Sequence, residues 1–340
     1  MVACDAIRIT IRSALEMRIP MNSRRLSQLR RALLRWYDQH QRDLPWRETR
    51  DPYRIWISEI MLQQTRVAAV LPRYGKFLRR FPSVEKLASA RVASVLAEWS
   101  GLGYYHRARN LHAAAKIIVR ECAGEFPQRS EEWRKLPGIG RYTAAAIASI
   151  AFGEPVAVLD GNVERVLRRL LHSARSSESW NVAHELLDRK RPGDFNQAIM
   201  ELGATVCLPG EPLCGQCPIR TLCRTRGRGE SRNHKPRQRK VLVSFLLATK
   251  SDSVLLVRRH ARERLMSGMW ELPAIDSPAS ASEVLFTVRH SITVTDYLVR
   301  VVAQPGVATG KGKWIKRTKA DRLPLTGLTK KILRKANIIE

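Results

Sequence analysis

Three groups of residues in this chain have types and spacings suited to chemistry. Glu59 lies three or four positions from Ile55, Trp56, Leu62 and Gln63 in a run that reads as a helix, so its carboxyl shares a largely apolar face. Burial there opposes ionisation and keeps the acid protonated near neutral pH, the state a general acid needs. A structural glutamate bonded to Gln63 or Arg66 fits the same spacing equally well. The second group is Cys207-x6-Cys214-x2-Cys217-x5-Cys223, four of the 6 cysteines in one short loop stiffened by Pro209, Pro212 and Pro218. Zinc ribbons pair two C-x2-C units across a longer gap, and one such unit is present, so an iron–sulfur cluster suits the loop better. The third is Leu136 to Ala146, where Gly138 and Gly140 fall between two helical runs. Glycines let backbone approach a phosphate, and free N–H groups at the second helix's start favour an anion. An ordinary glycine-rich turn is the alternative.

These groups need elements to hold them. Ser130 to Lys135 reads as a short helix capped by Ser130, and Thr143 to Phe152, rich in Ala and Ile, as a buried one. Asp51-Pro52 starts the helix that carries Glu59, with Tyr53 to Leu71 continuing it. Arg24 to His40 is a surface helix with Leu26, Leu29, Leu33, Trp36 and Tyr37 on its apolar side. Pro45 then breaks the chain and puts Trp46 between Arg42 and Arg47. Stacking of a purine on Trp46 is one reading, and a buried Trp beside surface arginines is the commoner arrangement. Gly101-Leu102-Gly103 is a tight turn presenting Tyr104, either as a wedge that fills the gap left by an extruded base or, with Tyr105, as a core aromatic. Arg224 to Lys240 is a polar basic linker. Beyond it Val241 to Ala248, Val254 to Val257 and Tyr297 to Val302 are strand-like.

The chain has 340 residues, enough for two domains, and 60 Lys+Arg against 31 Asp+Glu give a net charge of +29. The excess is carried both before and after residue 230, which favours a polyanion, nucleic acid ahead of an anionic membrane surface. No apolar run reaches spanning length. Crowded cysteines argue against a secreted disulfide framework, and Asp5, Arg8, Arg12, Glu16 and Arg18 interrupt any apolar leader core. An organellar segment and a start at Met21 stay open. The expected compartment is reducing, cytoplasmic and close to the nucleoid.

Leu136 to Ala146, followed by Val158-Leu159-Asp160-Gly161-Asn162-Val163, resembles the helix-hairpin-helix of the endonuclease III superfamily of DNA glycosylases. Trp56 to Thr65, Trp99 to Tyr105 and Arg107-Ala108-Arg109-Asn110-Leu111 are very similar to MutY-type adenine DNA glycosylases, a resemblance that covers residues 24–226. It implies a mostly α catalytic region of two helical subdomains with an iron–sulfur loop, the four cysteines binding [4Fe-4S]. It also implies Glu59 as catalytic acid, Asp160 as stabiliser of the sugar cation and Asn162 as the residue orienting Asp160. Relatives that cleave strands carry Lys where this chain has Tyr142, which cannot form a Schiff base. By the same resemblance Gln64 and Tyr104 enter the base stack, with Thr65 and Leu102 beside them. The resemblance also implies that Gln197, ahead of a helix Ala198 to Thr205, reaches the adenine edge, although Gln at a helix start is usually solvated; Arg42, Trp46, Arg47, Gly138 and Gly140 are the candidate DNA contacts read from the residues themselves.

Residues 241–340, through Leu265 to Pro273, resemble the α/β Nudix-like carboxy-terminal domain of these enzymes. Between Ile275 and Arg289 the acids are Asp276 and Glu283, too few to hold Mg²⁺ for pyrophosphate hydrolysis. The family's Phe-Ser-His lesion-reading loop has its nearest match in His290-Ser291-Ile292, which makes Ser291, with Arg289 and His290, the candidate reader. The expected organisation is therefore an extension over 1–23, a glycosylase domain over 24–226, a linker over 227–240 and a Nudix-like domain over 241–340. The expected activity is monofunctional removal of adenine opposite 8-oxoguanine, and more weakly opposite guanine, by a monomer with no membrane partner. An endonuclease III-like glycosylase/lyase and a non-catalytic mismatch-binding protein are the alternatives.

Overall fold

The computed structural model describes residues 21–172, 179–226, 239–260, 263, 266–275, 283–292, 295–303, 312–321 and 323–339. Residues 1–20 of the extension, 227–238 of the linker, Leu265 and Asp276 lie outside the described residues. The first two thirds of the chain is helical: α1 (Ser23–His40), α2 (Pro52–Leu62), α3 (Val67–Arg80), α4 (Val84–Ser89), α5 (Val92–Glu98), α6 (His106–Glu121), α7 (Ser130–Trp133), α8 (Arg141–Phe152), α9 (Gly161–Leu171), α10 (Ser179–Leu186) and α11 (Pro192–Thr205). Among the described residues no helix is long and apolar enough to cross a membrane.

Two compact units divide the chain, and neither is one continuous stretch. One gathers residues 1–59 with 126–233, the other 60–125 with 234–340. In the first unit α8 is buried along Thr143 to Ile150 and packs on α7 and α11, while α11 also packs on α1 and α9. Its small residues let backbones approach closely: a Cβ on Gly193 would fall 2.6 Å from Ser149 O, and one on Gly203 would fall 2.8 Å from Asn162 Cβ. Asn196, 1% exposed, ties the layer together by donating to Ser149 Oγ (2.9 Å) and Val156 O (2.8 Å) and accepting from Val158 N (3.2 Å).

Several element boundaries differ from the sequence reading: Arg239 and Lys240, expected in the linker, already pair with Thr295 and Asp296, and three others bear on the site. Ser130 is the first residue inside α7 rather than its cap; its N–H donates to Glu154 Oε2 at 2.7 Å, and Glu132 reaches back to the N–H of Arg129. The helix expected to run from Tyr53 to Leu71 breaks after Leu62 and restarts as α3 at Val67. And α11 begins at Pro192, with Pro pre-set for a first helical turn, so Gln197 sits inside it rather than ahead of it.

The carboxy-terminal part of the second unit is α/β. Its strands are β1 (Arg239–Leu247), β2 (Thr249–Lys250), β3 (Ser253–Arg258), β4 (Trp270–Glu271), β5 (Ala274–Ile275), β6 (Val284–Ile292), β7 (Thr295–Ala303) and β8 (Lys313–Lys316). One sheet has the order β5-β1-β7-β6, with β1 and β7 parallel and the outer pairs antiparallel; in the other, β3 pairs β2, β4 and β8. Helices α12 (Arg317–Ala320) and α13 (Gly327–Lys335) complete it. Alternate residues of β6 and β7, among them Val288, Val299 and Val301, pack with Leu256, Leu272, Ile332 and Leu333 into one core, the period-two burial of a half-covered sheet.

Candidate active site

Glu59, near the end of α2, Tyr142, on the first turn of α8, and Asp160, the N-cap of α9, converge in the first unit. Glu59 is 6% exposed, and its pKa is raised to about 7. Burial is the main cause; the neighbouring charge of Asp160 adds to it, while a hydrogen bond from Tyr142 and the charge of Arg47 pull the other way. The phenol of Tyr142 reaches both this carboxyl and Met200 Sδ, to which it donates at 3.0 Å. It carries one proton, so it donates to Glu59 when that acid is ionised and can accept from it when protonated. Burial first, then the charges of Glu59 and Asp160, push the Tyr142 hydroxyl well above its ordinary pKa, which keeps it neutral.

Asp160 is oriented by its own helix. Its Oδ1 accepts from the N–H of Val163 at 2.7 Å, satisfying a free donor of the first turn, and Oδ2 accepts from Asn162 Nδ2 at 3.2 Å. Asn162 Oδ1 in turn accepts from Arg165 Nη2 at 2.8 Å, and the same guanidinium donates to Gly203 O (2.7 Å) and Cys207 O (2.8 Å). One turn further along α9, Arg169 donates to Cys207 Sγ (3.3 Å) and Leu208 O (2.7 Å). Cys207, Cys214, Cys217 and Cys223 line a single cavity walled by Val166, Leu170, Leu202 and Ile219. Burial first, and then the charges of the other three sulfurs, raise the Cys217 thiol to about 11. Among the described residues no three His, Cys, Asp or Glu side chains come together tightly enough to hold a single metal ion.

A second buried acid, which the sequence reading did not single out, lies nearby on α11. Glu201 accepts from Arg42 Nε at Oε1 and from Arg42 Nη2 and Arg47 Nη2 at Oε2, each at 2.7 Å. It is 1% exposed, yet its pKa is lowered to about 2: burial opposes ionisation, and two guanidinium partners overcome it. Of the two arrangements open for the Arg42-to-Arg47 run, the structure shows the buried Trp46; Arg47 turns inward onto Glu201, and Arg42 pairs with the same carboxylate while its side chain stays 40% exposed, since an uncompensated carboxylate in this layer would be far less favourable than the clamp. Arg47 remains close enough to lower the pKa of Glu59.

The other sequence candidates are placed as follows. Gly138 takes a φ of 76° in the hairpin, and Gly140 caps α8 with no side chain and open space where a Cβ would stand. Gln197 is half-buried on α11. In the second unit Gln64 and Tyr104 are exposed, Thr65 is half-buried and Leu102 is 5% exposed. Leu102 is therefore a core residue of its turn, packed inward where Tyr104 faces out. Ser291 is exposed at the end of β6, its hydroxyl donating to Asp296 across the hairpin; Arg289 is exposed and His290 half-buried.

Residues 57–192 match the HhH-GPD superfamily, described as base excision DNA repair proteins. Human adenine DNA glycosylase is 49% identical over 217 residues, which is 59% of this chain and 40% of the human protein. The adenine DNA glycosylase of Buchnera aphidicola subsp. Schizaphis graminum is 32% identical over 265 residues, 74% of this chain and 76% of that protein. The chain belongs to the adenine DNA glycosylase family. Its match spans about two fifths of the human relative's length. A solved thermostable thymine-DNA glycosylase is similar with a TM-score of 0.57 and 29% identity, over 61% of this chain and 98% of that one. Endonuclease III in a non-covalent complex with DNA has a TM-score of 0.52 at 23% identity, over 61% and 97%, a likeness of fold. The helical part of this adenine DNA glycosylase family member thus has the helix-hairpin-helix glycosylase fold that the hairpin motif implied.

Glu201 carried no signal of the kind that picked out Glu59: the residues three and four positions from it are Gln197, Ala198, Ala204 and Thr205, which lack the apolar pattern around Glu59. Nor did Arg165 and Arg169, since arginines at this spacing usually face solvent.

Proposed function

We propose that the chain is a monofunctional adenine DNA glycosylase of base excision repair, hydrolysing the N-glycosidic bond of adenine mispaired with 8-oxoguanine or guanine in duplex DNA. The observation that carries this reading is a buried acid with a pKa of about 7 beside Tyr142 and a second carboxyl, Asp160. Protonated Glu59 delivers its proton to N7 of the extruded adenine and turns the base into a leaving group. As the bond lengthens, positive charge on the deoxyribose is met by Asp160, held in place by Val163 N–H and the Asn162 amide. Glu59, now ionised, accepts a proton from the attacking water. Tyr142 offers no amine, so no covalent imine with the sugar forms there and an abasic site is the product.

The net charge of +29 and the open Gly140 turn support the DNA backbone as partner. The four cysteines fit a [4Fe-4S] cluster: they share one largely apolar cavity and an arginine donor to a sulfur, the environment thiolate ligands of a cluster require. Cys207, Cys214, Cys217 and Cys223 would hold the cluster, which would then tie together the loop that Arg165 and Arg169 grip. The mixed sheets and the β6–β7 hairpin support a Nudix-like domain that reads the lesion with Ser291, Arg289 and His290. We assign the enzyme to a reducing, nucleoid-containing compartment, acting as a monomer.

The test is single-turnover adenine release from duplexes with adenine opposite 8-oxoguanine or guanine, with Glu59→Gln as control. Release by the wild type alone is expected. Strand cleavage accompanying release would favour the endonuclease III-like lyase, and tight binding without release would favour a non-catalytic mismatch binder.

A further inference from the structure

Two exposed side chains in the second unit sit on backbone that ordinary residues rarely adopt. Gln64, just beyond the end of α2, has a φ of 53°, and Tyr104, directly after the Gly101-Leu102-Gly103 turn, has a φ of 46°. Neither is a glycine, so the surroundings must impose the conformation. One guanidinium does so. Arg107, 3% exposed on the first turn of α6, donates through Nη1 to the carbonyls of Ile60 (2.8 Å), Met61 (2.9 Å) and Gln63. Through Nη2 it donates to Thr65 Oγ1 (2.9 Å), Leu102 O (3.0 Å) and Gly103 O (3.2 Å). Its Cζ lies 5.5 Å from the centre of the Trp99 ring and 5.4 Å from that of Tyr104.

The same fork therefore ends α2 and holds the tip of the Gly-Leu-Gly turn. Thr65 Oγ1 adds a direct link by donating to Leu102 O at 3.4 Å, and Gly101 leaves room for Arg73, whose Nε donates to Ser100 O at 3.1 Å. Burial lowers the Arg107 guanidinium to about 10, which still leaves it charged at neutral pH. A lysine would keep the charge but lacks the planar, two-armed set of donors that serves both loops.

We propose that Arg107 is a positioning residue that sets Gln64 and Tyr104 in advance as a pair of side chains ready to replace an extruded base. The inference rests on the glycosylase reading above and concerns extrusion, not bond cleavage. A base leaving the helix opens a gap, and side chains already fixed over it lose little conformational freedom on entering.

The test uses the full chain and two duplexes, one with adenine opposite 8-oxoguanine and one with adenine opposite an abasic-site analogue, where the base is unpaired from the start. Arg107→Lys should slow single-turnover release from the paired duplex on the order of 10- to 100-fold, the range expected for losing one or two strained, pre-set residues. On the unpaired duplex the loss should stay within about threefold. A 2-aminopurine beside the target should show a delayed fluorescence rise. Tyr104→Ala should give the same pattern, and the double variant should be no slower than the worse single one, as for residues acting as a unit. Should Arg107→Lys fail to fold, Thr65→Val removes one acceptor of the same fork and should reproduce the pattern with a smaller amplitude. Equal slowing on both duplexes, additive losses, or no slowing at all would overturn the proposal. A wild-type chain that releases adenine from neither duplex would instead overturn the glycosylase reading beneath it.

Discussion

Two glutamates in the first unit are buried almost completely and end at opposite extremes. Glu59 is raised to about 7, whereas Glu201 is lowered to about 2. Desolvation acts on both in the same direction, so the neighbours decide. Glu201 is bracketed by two arginines, and Glu59 faces a phenol and another carboxyl with Arg47 as a more distant cation. Burial alone thus says little about what a carboxyl does. One of these acids still holds its proton near neutral pH, and the other is an anion there and anchors α11 to the Arg42–Arg47 run.

The contrast can be broken most severely at the second carboxyl of the Glu59 pocket. Asp160→Asn keeps a good helix cap and the shape of the site but removes the charge beside Glu59. Adenine release should fall on the order of 10²–10⁴-fold with duplex affinity unchanged, measured by single-turnover kinetics and equilibrium binding. A parallel loss of binding would mean that Asp160 organises the DNA interface instead.

Arg47→Met tests the bridge between the two acids. Leaving Glu201 buried with one partner should destabilise the fold by about 3–5 kcal/mol in urea unfolding. In the fraction that stays folded, Glu59 loses a cation that lowers its pKa, so the alkaline limb of the rate profile should move to higher pH than in the wild type. A limb that stays in place would separate the two sites.

A smaller effect should appear in stability against pH. An unfolded Glu59 ionises near 4.5 while the folded one holds its proton to about 7, so this group makes the protein less stable as pH rises through that window, with no further change above it. Glu201 does the reverse: its contribution is complete above 4.5 and is lost as pH falls toward about 2. Glu59→Gln should therefore be more stable than the wild type at pH 8 by about 2–3 kcal/mol, with the difference vanishing near pH 4. The smallest effect belongs to Asn162→Ala, which removes one bond to Asp160 and one acceptor of Arg165, about 1 kcal/mol each way in stability or rate.

The elements whose local signals agree with their packing were readable from sequence. The Ala-rich helix after the hairpin, the β-branched runs that became β1, β3 and β7, and the apolar face around Glu59 all carry a period that burial then obeys. The break after Leu62 was not readable. Apolar residues continue at helical spacing through Val70 and Leu71, and no glycine or proline marks the stop; Arg107, distant in sequence, takes the carbonyls that the next helical turn would have used. The partners of Glu201 were obscured for the same reason, since its arginines come from the far side of the chain. The start of α11 was hidden because proline and glycine usually punctuate, but here Pro192 opens a helix and Gly193 lets α8 and α11 touch.

The interleaving of the two compact units bears on how the chain is made. Residues 21–59 leave the ribosome well before the stretch from Phe126 that completes their core. The first unit therefore cannot close as a local event during synthesis, and nascent chains carry its unsatisfied apolar faces until α11, which packs on α1, has emerged. Holdase chaperones and slow elongation across residues 60–205 should matter more to the yield of this protein than to that of one whose units follow each other in order.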